Sequence, residues 1–122
     1  MSSQEEKVKT LQRAQILSQQ IRALEDRFQI LQRRKEELTH ALEELKKAEE
    51  RGETNVYQFL GANILVKKNL GDVKSELEEE LTTIESQLNL LKRQIDIGKK
   101  ELEKLLKKLG YTPTGEKGVT GG

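Results

Sequence analysis

Apolar residues in the first half of the chain recur at alternating steps of four and three: Leu17, Ile21, Leu24, Phe28 and Leu31, then Leu38, Leu42 and Leu45, with Lys35 in the one polar gap. Placing Ile21 at heptad position a gives an a column of Ala14, Ile21, Phe28, Lys35 and Leu42. The d column is then Leu17, Leu24, Leu31, Leu38 and Leu45. Leucine at every d position over successive heptads is the pattern of a coiled-coil seam. No proline or glycine interrupts Glu5 to Arg51. Residues 5–51 therefore predict one helix of roughly 60 Å.

A second periodic stretch follows Gly71-Asp72, with Asp72 as the expected N-cap. Its seam reads Val73, Leu77, Leu81, Ile84, Leu88, Leu91, Ile95, Gly98, Leu102, Leu105 and Leu109. The two opening steps of four form a stutter, which locally unwinds a supercoil. Gly110 is the expected C′ residue, preceded by Lys107 and Lys108, cations that suit the last turn of a helix. The second helix is thus expected over 72–109. Residues 110–122 hold the single proline, Pro113, and are expected to be a flexible tail.

Between the helices, Val56-Tyr57-Gln58-Phe59-Leu60 and Ile64-Leu65-Val66 flank Gly61-Ala62-Asn63. Short runs rich in β-branched and aromatic residues around a turn predict a β-hairpin over 54–68. Two long helices joined by so short a link fold back antiparallel. If Glu50 stands level with Asp72, facing residues have numbers summing to about 122, a register taken from matching the two seams. That register sets Phe28 opposite Ile95, and Gly98 is expected to make room for its ring. Ile16 with Leu106, and Ile30 with Leu90, are apolar and off the columns at matching heights. They either widen the seam or stand exposed.

The hairpin is apolar on both expected faces, with Val56 and Leu60 on one and Tyr57 and Phe59 on the other. A lone two-stranded hairpin is marginal in water, and its open edges are templates for further strands. The residues Val56, Tyr57, Phe59, Leu60, Ile64, Leu65 and Val66 are therefore expected to join hairpins from several subunits into a shared sheet or barrel. The fold class expected is mainly α: a long antiparallel two-helix coiled coil with a single β-hairpin between the helices, which assembles into an intersubunit β-barrel.

Composition narrows the function. The chain of 122 residues is 35% charged and 34% hydrophobic, with no Trp, two Phe and two Tyr. That suits a narrow seam better than a thick core. A net charge of +1 argues against a nucleic-acid or anionic-membrane binder. With no cysteine, disulfides and thiol chemistry are excluded. The polar N-terminus and the want of a long apolar run point to a cytoplasmic protein. His40, the single histidine, falls at heptad position f, where a metal site is not expected. The acidic pairs Glu36-Glu37 and Glu43-Glu44 and the run Glu78-Glu79-Glu80 lack the pocket that acid–base catalysis requires. No phosphate-binding loop is present. Lys35, at an a position, is expected to tune register or partner choice. Neither enzymatic activity nor a cofactor is expected.

The helix–hairpin–helix order and the linker VYQFLGANILVKK, Val56 to Lys68, resemble the beta-type subunit of the prefoldin family. The likeness lies in Val56-Tyr57, the turn glycine Gly61, and the triplet Ile64-Leu65-Val66 ending in Lys67; one hairpin rather than two is the beta-type arrangement. The spacer Ala62-Asn63 is a residue longer than the usual pattern, which leaves the strand register open at that point. The resemblance implies a hetero-hexamer of two alpha-type and four beta-type subunits. It also implies ATP-independent capture of unfolded polypeptides at the coiled-coil tips and their transfer to a group II chaperonin. Mapped here, the client-binding candidates are Val8, Leu11 and Ile16 on the first helix, with Leu105, Leu106, Leu109 and Tyr111 at the end of the second. Ordinary seam packing is the competing role, favoured for Leu105 and Leu109. Two other functions compete: a coiled-coil scaffold or dimerisation module without client binding, and an RNA-binding helical arm.

Overall fold

The computed structural model describes residues 3–111. Its elements run α1 (Ser3–Glu50), β1 (Asn55–Phe59), β2 (Leu65–Asn69) and α2 (Leu70–Lys108). The two long helices and the single antiparallel hairpin between them are the architecture the heptads and the linker predict. The chain divides into two units, Met1–Phe28 with Leu90–Gly122, and Gln29–Asn89. The tail expected over 110–122 lies, from residue 112 onward, outside the described residues.

In the unit of residues 29–89, α1 and α2 run antiparallel. Glu49 pairs with Lys74 at 3.1 Å, Lys35 with Glu85 at 3.7 Å and Arg34 with Glu80 at 2.7 Å. In the other unit, Glu25 pairs with Lys99 at 3.1 Å, again antiparallel. Every residue assigned to the two seams is buried or half-buried, including Lys35. Leu38 is the most deeply covered large side chain, at 1% exposure.

The helix ends follow local chemistry. Gly52, at φ +84°, closes α1: its N–H donates to the Glu49 carbonyl at 2.9 Å, and Glu53 N–H donates to the Ala48 carbonyl at 3.1 Å. Gly110, at φ +94°, closes α2 in the same way, with Tyr111 N–H reaching the Leu106 carbonyl at 2.9 Å. This paired bonding past a left-handed residue is the Schellman motif, which satisfies carbonyls the helix would otherwise leave bare.

Three expectations are corrected, and the strand register left open by the sequence is determined. Helix α2 begins at Leu70, so Asn69 and not Asp72 is its N-cap; the Asn69 Oδ1 accepts from Asp72 N–H at 3.1 Å. The strands cover 55–59 and 65–69, each displaced from the expected runs, with Leu60 and Ile64 at the turn instead of in the strands. The register is uninterrupted, Asn55 opposite Asn69 through to Phe59 opposite Leu65, so the longer spacer adds no bulge. Gly61 and Asn63 absorb it within the turn at φ +73° and +60°. Finally, Gly98 packs against Ile21 rather than Phe28: a β-carbon added there would lie 3.0 Å from Ile21 Cγ1 and 4.0 Å from Leu17 Cδ1.

Candidate functional site

The hairpin is short, and its alternation sorts its side chains cleanly. Val56 and Gln58 on β1, with Val66 and Lys68 on β2, are half-buried. The opposite face carries Tyr57 and Phe59, set against Lys67 and Leu65. Tyr57 is 67% and Phe59 68% exposed. Leu60 and Ile64, joined at the turn by a 2.8 Å bond from Leu60 N–H to the Ile64 carbonyl, are also exposed. Five of the seven residues expected to form the assembly surface are thus open, while Val56 and Val66 lie on the covered face. The sheet has two strands, so β1 and β2 each keep one edge unpaired. Exposed aromatic surface beside open edges is an invitation to further pairing.

The base of the hairpin is fixed by groups the heptad reading missed. Leu70 is 2% exposed, and its N–H donates to the Thr54 carbonyl at 2.9 Å. Leu70 stands one step of three before Val73, and that spacing was the available signal. It was masked by Gly71-Asp72, which read as linker.

In the unit that holds the chain ends, Val8, Leu11, Ile16 and Tyr111 are exposed, at 52%, 45%, 56% and 62%. Leu106 and Leu109 are half-buried, and Leu105 is a buried seam residue. A shallow pocket nearby is lined by Glu6, Lys7, Lys9, Thr10, Arg13 and Lys108. Ile97, 68% exposed, was not singled out from the sequence; its seven-residue step from exposed Leu90 was the signal. Ile30 is likewise exposed.

The strongest electrostatic contact is between Arg34 and Glu80. The Arg34 Nε donates to Glu80 Oε2 at 2.7 Å and Nη2 donates to Oε1 at 2.9 Å, while Nη1 reaches Glu37 at 3.3 Å. The Arg34 hydrogen bond holds the Glu80 carboxyl below its ordinary value, outweighing a desolvation that acts the other way, and the guanidinium charge adds to the lowering. This two-pronged clasp fixes helix on helix. No described helix is long and apolar enough to cross a membrane.

Comparison with known proteins places these surfaces in context. A family model described as "Prefoldin subunit" matches residues 5–110. Among solved structures, the chain is similar to the prefoldin beta subunit from Thermococcus strain KS-1, at 26% identity over 80% of this chain and 89% of that one, with a TM-score of 0.40. No curated protein matches by sequence.

Proposed function

Because the chain belongs to the prefoldin family, we propose that it is a beta-type subunit of a hetero-hexameric, ATP-independent holdase in the cytoplasm. In this reading the hairpin joins it to an alpha-type partner and to further beta-type copies. The chain ends hold unfolded polypeptides and release them to a group II chaperonin. The single hairpin supports the beta type.

One observation carries the proposal: the described chain leaves large apolar side chains open at both places where a prefoldin needs partners. Tyr57 and Phe59 stand about two-thirds exposed on the hairpin, and Val8, Leu11 and Tyr111 are exposed at the chain ends. Burying one such side chain gains about 1.5–3 kcal/mol. A single helix end therefore binds an unfolded client weakly. Several ends on one platform bind it well and still reversibly, because each contact raises the effective concentration of the next.

The test is light scattering from a denatured client, with the chain assembled on an alpha-type partner. The assembled complex is expected to slow aggregation without nucleotide. A complex carrying Val8→Ser, Leu11→Ser and Tyr111→Ser should assemble and yet protect poorly, since these exposed positions contribute little to folding. A complex that never slows aggregation refutes the holdase. Full protection by the triple variant refutes the assignment to the chain ends.

A further inference from the structure

The charge that cancels over the whole chain does not cancel locally. Residues 3–28 with 90–111 hold twelve Lys and Arg against seven Asp and Glu, a net of +5; residues 29–89 hold nine against thirteen, a net of −4. The basic unit also carries exposed apolar residues outside the seam, one of which, Ile16, is also a client-binding candidate at the chain ends. With Ile21 at position a, Ile16 and Ala23 fall at c. With Leu88 at a and Leu91 at d, Leu90 and Ile97 also fall at c. All four are exposed, Ile97 by 68% and Leu90 by 49%.

These positions share one side of the coil. In an antiparallel pair of helices, e positions meet along one side of the seam and g positions along the other. Glu25 and Lys99, both at e and 3.1 Å apart, mark the first side. Position c adjoins g, so Ile16, Ala23, Leu90 and Ile97 line the second. Exposed Arg13, Arg27, Arg93, Lys100 and Lys104 occupy the neighbouring g, f and c positions, against Asp26 and Glu101. The pocket lined by Lys7, Lys9, Arg13 and Lys108, together with Glu6 and Thr10, carries a net positive charge toward the chain ends.

We propose that this side of the coil is a second docking strip, which selects acidic, aliphatic-rich stretches of non-native polypeptide. The inference rests on the holdase reading and adds a substrate class to it. Aliphatic contact supplies affinity with little sequence preference, and the flanking cations favour one sign of charge through complementarity and faster encounter. A single-stranded nucleic acid fits less well, because such sites stack bases on aromatic side chains and this strip has none.

Two labelled peptides of equal Leu and Ile content, one interspersed with Glu and the other with Lys, test it by fluorescence anisotropy on the full chain. The Glu peptide is expected to bind about tenfold tighter at low salt, with the preference collapsing near ~1 M salt. Leu90→Gln with Ile97→Gln should weaken its binding severalfold while helical circular dichroism stays unchanged. Equal binding of the two peptides, or no effect of the double variant, overturns the strip and leaves the holdase standing if the assembled complex still suppresses aggregation. Loss of that suppression in the unmodified complex strikes the holdase itself. An oligothymidylate that binds more tightly than the Glu peptide would reassign the basic side to nucleic acid and overturn the proposal.

Discussion

A glycine in the middle of a helix gives up about 1 kcal/mol of propensity relative to alanine, so Gly98 needs a reason to be there. Ile21 supplies it: the missing β-carbon would stand 3.0 Å from Cγ1 and 3.4 Å from Cδ1 of a side chain only 5% exposed. A β-branched residue in a helix has one preferred χ1 and gives way poorly. Gly98→Ala is therefore expected to destabilise the chain, the overpacking cost of about 1–3 kcal/mol outweighing the propensity gain. In an Ile21→Ala background the clash is gone, and the same change should stabilise by up to about 1 kcal/mol. Urea denaturation of the unmodified chain and the three variants checks this, and a cycle without the change of sign would mean the glycine answers to something other than Ile21. Arg34 and Glu80 act at the same scale. Glu80 sits below its ordinary value of 4.5 in the folded chain. A carboxylate shifted down contributes stability that is complete above the unfolded value and disappears as pH falls through the folded one. The pair is partly exposed, so Glu80→Gln should cost about 0.2–1 kcal/mol at neutral pH. That deficit should shrink progressively as pH falls below 4.5. Denaturation midpoints of the two proteins taken across that range provide the measurement.

At the scale of elements, caps decide where each helix begins and ends. Asn69 accepts from Asp72 N–H, which makes Asn69 the residue whose loss should be felt. Asn69→Ala is expected to lower stability by about 1 kcal/mol. Asp72→Ala should cost only a few tenths, the modest worth of a carboxylate near a helix N-terminus. Thermal melts rank the two, and the reverse order would restore Asp72 as the cap. The misplacement shows what sequence patterns resolve. Heptad spacing identified every seam residue from Ala14 to Leu45 and from Val73 to Leu109, because burial of a two-helix seam depends on periodicity alone. Matching the two seams also set the axial stagger, since Glu49 with Lys74, Lys35 with Glu85 and Glu25 with Lys99 have numbers close to the expected sum of about 122. It did not say which neighbour along the facing seam would meet Gly98, and Ile21 does so in place of Phe28. Nor did it find Leu70 or the true strand limits, where Gly71 and the β-forming run Leu65–Asn69 compete for the same few residues. The assembly surface was legible as a set of apolar residues. Alternation also set Val56 apart from Tyr57 and Phe59, and what no spacing in the linker specifies is that the face holding Val56 and Val66 is the covered one.

At the scale of the molecule, that division determines how assembly is best probed. Val66 is half-buried opposite Gln58, so a charge placed there would disturb the chain's own hairpin as well as any interface. Phe59 faces out, opposite Leu65, and is 68% exposed. An aspartate at this position therefore costs the isolated chain little, whereas in an interface it leaves a buried, unpaired charge, a loss of several kcal/mol. Phe59→Asp should accordingly separate two events that a less exposed site would confuse. Far-ultraviolet circular dichroism should report unchanged helix, because α1 and α2 hold each other through their seams. Sedimentation velocity, run with and without the alpha-type partner, should show the proposed hexamer replaced by smaller species. Should the variant sediment as the unmodified complex does, the open face of the hairpin lies outside the interface. Subunits would then have to meet through the free edges of β1 and β2 alone, a narrower contact that the turn residues Leu60 and Ile64 would be left to seal.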